Sequence, residues 1–109
     1  MSSPPAYSVI ILPEVYQDLD RIDQFYRAIG AELAERAVDS ISQTIETLGD
    51  YPGPYRYPQF RASHDQDLRE AYAPFGKEGF LVRYRIDEQR LELVVYRVHH
   101  AREDRFTSE

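Results

Sequence analysis

Apolar residues crowd together from Tyr7 to Leu12 in a short run of β type. The period then changes. Val15, Leu19, Ile22, Tyr26 and Ile29 recur at helical spacing, which predicts a first helix opening at Pro13, where a missing N–H costs nothing. Leu12 is a poor N-cap for it, although Glu14 suits the positive helix end. Gly30 is read as its terminator. From about Ala31, Leu33, Ala34, Ala37, Val38, Ile41, Ile45 and Leu48 form a second apolar stripe, which Gly49 is expected to close. The two helices should form a hairpin with an acidic outer face.

Three prolines between Tyr51 and Pro58 exclude helix and central strand, so residues 49–66 are read as a long Tyr/Pro-containing loop, with His64 exposed in it. Three strands follow: 68–73, 80–86 and 91–99. An even four-residue connection over 87–90 places Ile86 opposite Leu91, Tyr84 opposite Leu93 and Val82 opposite Val95. Phe80, Val82, Tyr84, Ile86, Leu91, Leu93 and Val95 then share the face that the hairpin covers. The other face carries Leu81, Arg83, Arg85, Glu92, Val94, Tyr96, Val98 and His100, with Arg85 set against Glu92. The predicted fold is α+β, β-α-α-β-β-β, with a helical hairpin packed on one face of an antiparallel sheet.

At 109 residues the chain is expected to be one domain, 1–109, with a flexible N-terminus over 1–6. No run approaches a membrane span, and the first residues lack the pattern of a signal peptide, so a cytoplasmic protein with no membrane partner is expected. Without cysteine, and with only His64, His99 and His100, no metal site and no cofactor are expected. The net charge of −6 is uneven. Residues 1–50 hold nine acidic and three basic side chains, while residues 51–109 hold ten of each. Lys77 is the sole lysine among thirteen basic residues. Arginine favours bidentate recognition over diffuse positive charge, and an acidic domain is poorly suited to direct sequence-specific DNA binding.

Several segments in this order resemble the RelE/ParE superfamily of type II toxins. Pro13 to Ile22, with its Asp18, Leu19 and Ile22, is similar to the family's first helix, and Ile45 to Gly53 to the exit of its second. Leu68 and Arg69, Gly79 to Arg85 and Val95 to Arg102 resemble its last three strands. The resemblance spans residues 7–106 and implies a toxin neutralised by a cognate antitoxin. It also implies one of two activities: poisoning of DNA gyrase, or ribosome-dependent mRNA cleavage. Cleavage at a ribose 2′-hydroxyl needs a base, an acid and cations for the developing charge. The position matching a family tyrosine is Phe106, which has no hydroxyl, and the strand after the long loop offers Arg69 but no lysine. Together with the acidic net charge, these departures favour the ParE-like branch, a gyrase inhibitor of the plasmid-stabilization type that acts by binding. The mRNA endonuclease is the alternative, and an inactive regulatory member that only pairs with antitoxin is a second alternative. The candidate active surface is Arg69, Arg83, Tyr96, Arg97, His100 and Arg102; solvation or packing of these side chains is the competing reading. Candidate antitoxin contacts are Asp18, Asp20, Asp23, Glu32 and Glu35.

Overall fold

The computed structural model describes residues 7–50, 68–87 and 89–102; the expected flexible N-terminus, most of the Tyr/Pro loop with His64, and Phe106 lie outside them. The described elements are β1 (Ser8–Ile11), α1 (Pro13–Arg27), α2 (Ala31–Asp50), β2 (Leu68–Ala73), β3 (Phe80–Asp87) and β4 (Glu92–His100). The sheet order is β1-β4-β3-β2. The last three strands are antiparallel, as their hairpin spacing requires, but β1 runs parallel to β4, so the sheet is mixed rather than antiparallel. The β2–β3–β4 meander leaves the edge of β4 open, and parallel alignment there sets Val9 and Ile11 beside Leu93 and Val95 on the hairpin side.

Pro13 opens α1 as expected, and Leu12 gives no side-chain cap. Its backbone compensates: the Leu12 N–H donates to the Val95 carbonyl at 3.1 Å, and its carbonyl accepts from Val15 at 2.9 Å. Gly30 does not end α1 in a left-handed turn. The helix stops at Arg27, and the Gly30 carbonyl instead accepts from Ala34 to start α2. Gly49 lies inside α2, where a Cβ would come within 2.9 Å of Val9, so a glycine there lets the helix approach β1.

Val15, Ile22, Ala37, Ile41, Ile45 and Leu48 meet Ala71, Ala73, Phe80, Val82, Tyr84, Ile86, Leu93 and Val95 in one core between hairpin and sheet. Leu91 is not part of that face. The Asp87 carboxylate accepts from the N–H groups of Gln89 and Arg90, which draws 89–91 into the turn and leaves Leu91 exposed at φ +53°. Asp87 therefore pairs with Glu92, and Ile86 with Leu93. The faces survive a two-residue shift, but the expected Arg85–Glu92 pair does not: Arg85 stands opposite Val94.

Candidate functional site

The sheet face away from the helices is set by an irregularity in β4. Tyr84 pairs with Val95, but the next residue of β3, Arg83, pairs with Arg97, so Tyr96 is the extra residue of a bulge. Beyond it the side-chain parity reverses. Val98 enters the core opposite Val82, His99 lies opposite Leu81 on the outer face, and His100 lies opposite Phe80 on the helical side. This overturns the expected placement of Val98 and His100. The reason is hydrophobic: a regular strand would drive Arg97 into the core opposite Val82 and turn Val98 out.

Asp18 holds the bulge from the other side. At 2% exposure it is buried, which removes it from the exposed acidic set expected to meet an antitoxin. β1 ends at Ile11, so among the described residues the edge of β4 beyond Val95 has no neighbouring strand there, and α1 runs alongside it. The Asp18 carboxylate accepts the Val98 N–H at 2.9 Å and Arg97 Nε at 2.9 Å, with Arg97 Nη2 at 3.3 Å and Arg21 Nη2 at 3.0 Å. Burial pushes its pKa up, but the Arg97, Val98 and Arg21 hydrogen bonds and the Arg97 charge outweigh that and hold it below the usual carboxylate range.

The six candidate surface residues are thus divided. Arg83 and Tyr96 remain on the outer face with Arg85. Arg69 pairs with Tyr84 in register and belongs to the hairpin side. Arg97 is held at the sheet edge by Asp18, His100 is turned inward, and Arg102 is exposed where the chain bends away after the strand. On the outer face Glu70 accepts from Arg83 at 3.3 Å. Tyr96 sits beside them; burial raises its phenol pKa and Glu70 adds to the rise, while Arg83 and Arg85 pull the other way. Among the described residues this face sets Arg83, Arg85 and, at its edge, Arg97 against Glu70, Asp87 and Glu92, so its charge is balanced.

His100 closes an apolar pocket of about 350 Å³ with Arg21, Ile22, Phe25, Tyr26 and Phe80. Its ring meets Phe80 edge-on at 5.4 Å, and its Nδ1 accepts the Arg102 N–H at 3.2 Å. Phe25, which lines this pocket, is 63% exposed, and Ile29, in the turn after α1, is 67% exposed. Of the acidic candidates other than Asp18, Asp23 is tied to Arg27 at 2.8 Å and Asp20 accepts from Gln24, while Glu32 and Glu35 are exposed at the start of α2. Among the described residues no group of three or more His, Asp or Glu side chains is placed to hold a metal ion, and no helix is long and apolar enough to cross a membrane.

This fold is shared with chains of solved toxin–antitoxin systems. The chain superimposes on one from the chromosomal ParDE toxin–antitoxin system of P. aeruginosa with a TM-score of 0.68 at 21% identity, covering 89% of this chain and 98% of that one. It superimposes on one from the toxin–antitoxin complex RelBE2 of Mycobacterium tuberculosis at 0.62 and 19%, covering 92% and 97%. In sequence it is 28% identical over 98 residues to Toxin RelE3 of Caulobacter vibrioides, covering 90% of this chain and 98% of that protein. Residues 9–105 match the family of ParE toxins of the type II toxin–antitoxin system parDE, and the chain belongs to that family. It is a type II toxin of the RelE/ParE superfamily.

Proposed function

We propose that this toxin acts in the cytoplasm by binding and poisoning DNA gyrase, and that a cognate antitoxin holds it inactive. The observation that carries the reading is the charge balance of the outer sheet face. A face built to grip a nucleic-acid backbone gathers uncompensated cations. Here Glu70 takes the Arg83 guanidinium, Asp87 and Glu92 lie on the same face, and the raised Tyr96 pKa keeps that phenol protonated, with little phenolate to act as a base. Such a face fits a protein surface of mixed charge. For the antitoxin, the exposed Phe25 and Ile29 suit the apolar anchors of an amphipathic helix that orders on binding, and Asp20, Glu32 and Glu35 suit basic residues at its margin.

The bulge favours a second reading, an mRNA endonuclease, because it brings His99 to the face that holds Arg83, Arg85 and Tyr96. The test runs both assays on the purified chain. Inhibited supercoiling or trapped cleaved DNA, with mRNA intact on translating ribosomes, is the expected result. Codon-dependent cuts in primer extension with gyrase unaffected would overturn it. Neither activity, with antitoxin binding retained, would mark a purely regulatory member.

A further inference from the structure

The buried charge of Asp18 has no place in either activity, yet its carboxylate meets β4 where, among the described residues, the register of the sheet shifts. We infer that Asp18 is a positioning residue for the target-contacting face: it clasps the bulge of β4 and so decides which of two adjacent histidines that face receives. The inference rests on the reading of the outer face as the surface that meets the target.

Two forces place the end of β4. Burial of Val98 opposite Val82 selects the reversed parity, but it acts on one side chain only. The backbone at that point has left β1 behind, and an edge N–H facing a packed helix needs an acceptor. Asp18 supplies it: one carboxylate oxygen receives the Val98 N–H and Arg97 Nε, and the other receives Arg97 Nη2 and Arg21 Nη2. Side chain and main chain of consecutive residues are thereby fixed to the same helix. With Arg97 and Val98 pinned, His99 can only project outward beside Leu81, and His100 can only close on Phe80 and Tyr26. On release of the clasp, the core still attracts Val98, but nothing holds the strand end against α1, and the two histidines lose their separate surroundings.

The experiment uses the full chain with ¹³C-labelled histidine, comparing wild type, Asp18→Ala and Asp18→Asn. Three quantities are read: the Cε1 resonances of His99 and His100, hydrogen exchange at the Val98 amide, and inhibition of whichever target the wild type inhibits. In Asp18→Ala the Val98 amide is expected to exchange about a hundredfold faster while core β3 amides stay protected. The His100 resonance, shifted in the wild type by the Phe80 ring, moves toward its free position, and inhibition falls about tenfold or more. Asp18→Asn keeps an oxygen acceptor but not the charge, so it shows the same changes in smaller size; it decides the matter if the alanine variant does not fold. A folded variant with unchanged Val98 protection and unchanged histidine resonances overturns the inference. So does one in which both move while inhibition stays at the wild-type level. If the wild type inhibits translation rather than gyrase, the proposed target is wrong, but the spectroscopic and activity readings still judge Asp18.

Discussion

At the scale of single residues, the charged side chains of this toxin differ sharply in what they hold. The Asp18 pKa is lowered in the folded protein, so its contribution to stability is complete above the unfolded value of about 4 and is lost as pH falls through the lowered folded value. Asp18→Ala should therefore cost about 1–3 kcal/mol at neutral pH, for the stranded Val98 N–H and for the lost charged bonds to Arg97 and Arg21, and the charged part of that gap should shrink as pH falls from neutral to below the unfolded value. Urea midpoints at the two pH values measure it; a gap of constant size would sink the idea. Arg97 and Arg85 make a second contrast. Arg97→Ala should lower both stability and target inhibition, because Arg97 is bonded to Asp18. Arg85 is exposed, and Arg85→Ala should lower inhibition while leaving stability within about 0.5 kcal/mol. Equal melting temperatures for the two variants would show that the Asp18 bond contributes nothing.

At the scale of elements, the turn before β3 depends on two glycines at positive φ that differ in their surroundings. At Gly76, φ +58°, an added Cβ meets nothing within 4 Å, so Gly76→Ala should cost only the backbone term of about 1–2 kcal/mol. At Gly79, φ +74°, the Cβ would stand 2.6 Å from the Tyr72 ring, so Gly79→Ala should cost more. Tyr72→Ala should then relieve part of that extra cost, with a coupling above about 0.5 kcal/mol in a double-mutant cycle. Simple additivity would refute the ring contact as the cause. The elements themselves were legible because their apolar periods are long and unbroken: the second helix stripe and the inward row of β3 appear in the structure as read, and the first stripe does so as far as Tyr26, while Ile29 lies past the end of α1 and is exposed. The bulge was legible too, from the three-residue step between Val95 and Val98 where a strand requires two, but only if that step is preferred to unbroken alternation. The turn at Leu91 was not, since Leu91 continues the apolar alternation and only the Asp87 hydrogen bonds displace it. The expected outer face changes for the same reason. One extra residue in a strand reverses every side beyond it, so Arg83 and Tyr96 lie on the face expected of them and His100 does not. The Asp18–Arg97 contact joins residues far apart in sequence, and nothing local announces it.

At the scale of the whole molecule, the acidic helical hairpin covers one face of the sheet and the charge-balanced outer face is the other, so the two partners proposed here meet different electrostatics. Charge reversal at Glu32 and Glu35 should weaken antitoxin binding about tenfold at low salt and much less at high salt. Asp23 is already occupied by Arg27 and should matter less. Titration calorimetry at two ionic strengths measures this, and affinities indifferent to both salt and reversal would remove the electrostatic part of the antitoxin proposal. The pairing of β1 with β4 has a further consequence, in time rather than space. The first strand emerges from the ribosome early, yet its neighbour in the sheet is the last of the described strands to be made. Until Glu92 to Val95 are free of the exit tunnel, β1 has no neighbour and Asp18 has no strand to clasp. A nascent chain can therefore form its helical hairpin well before its sheet is complete. An antitoxin that recognises the hairpin would have an interval during synthesis in which its surface already exists and the toxic face does not, so neutralisation can precede toxicity on the same chain.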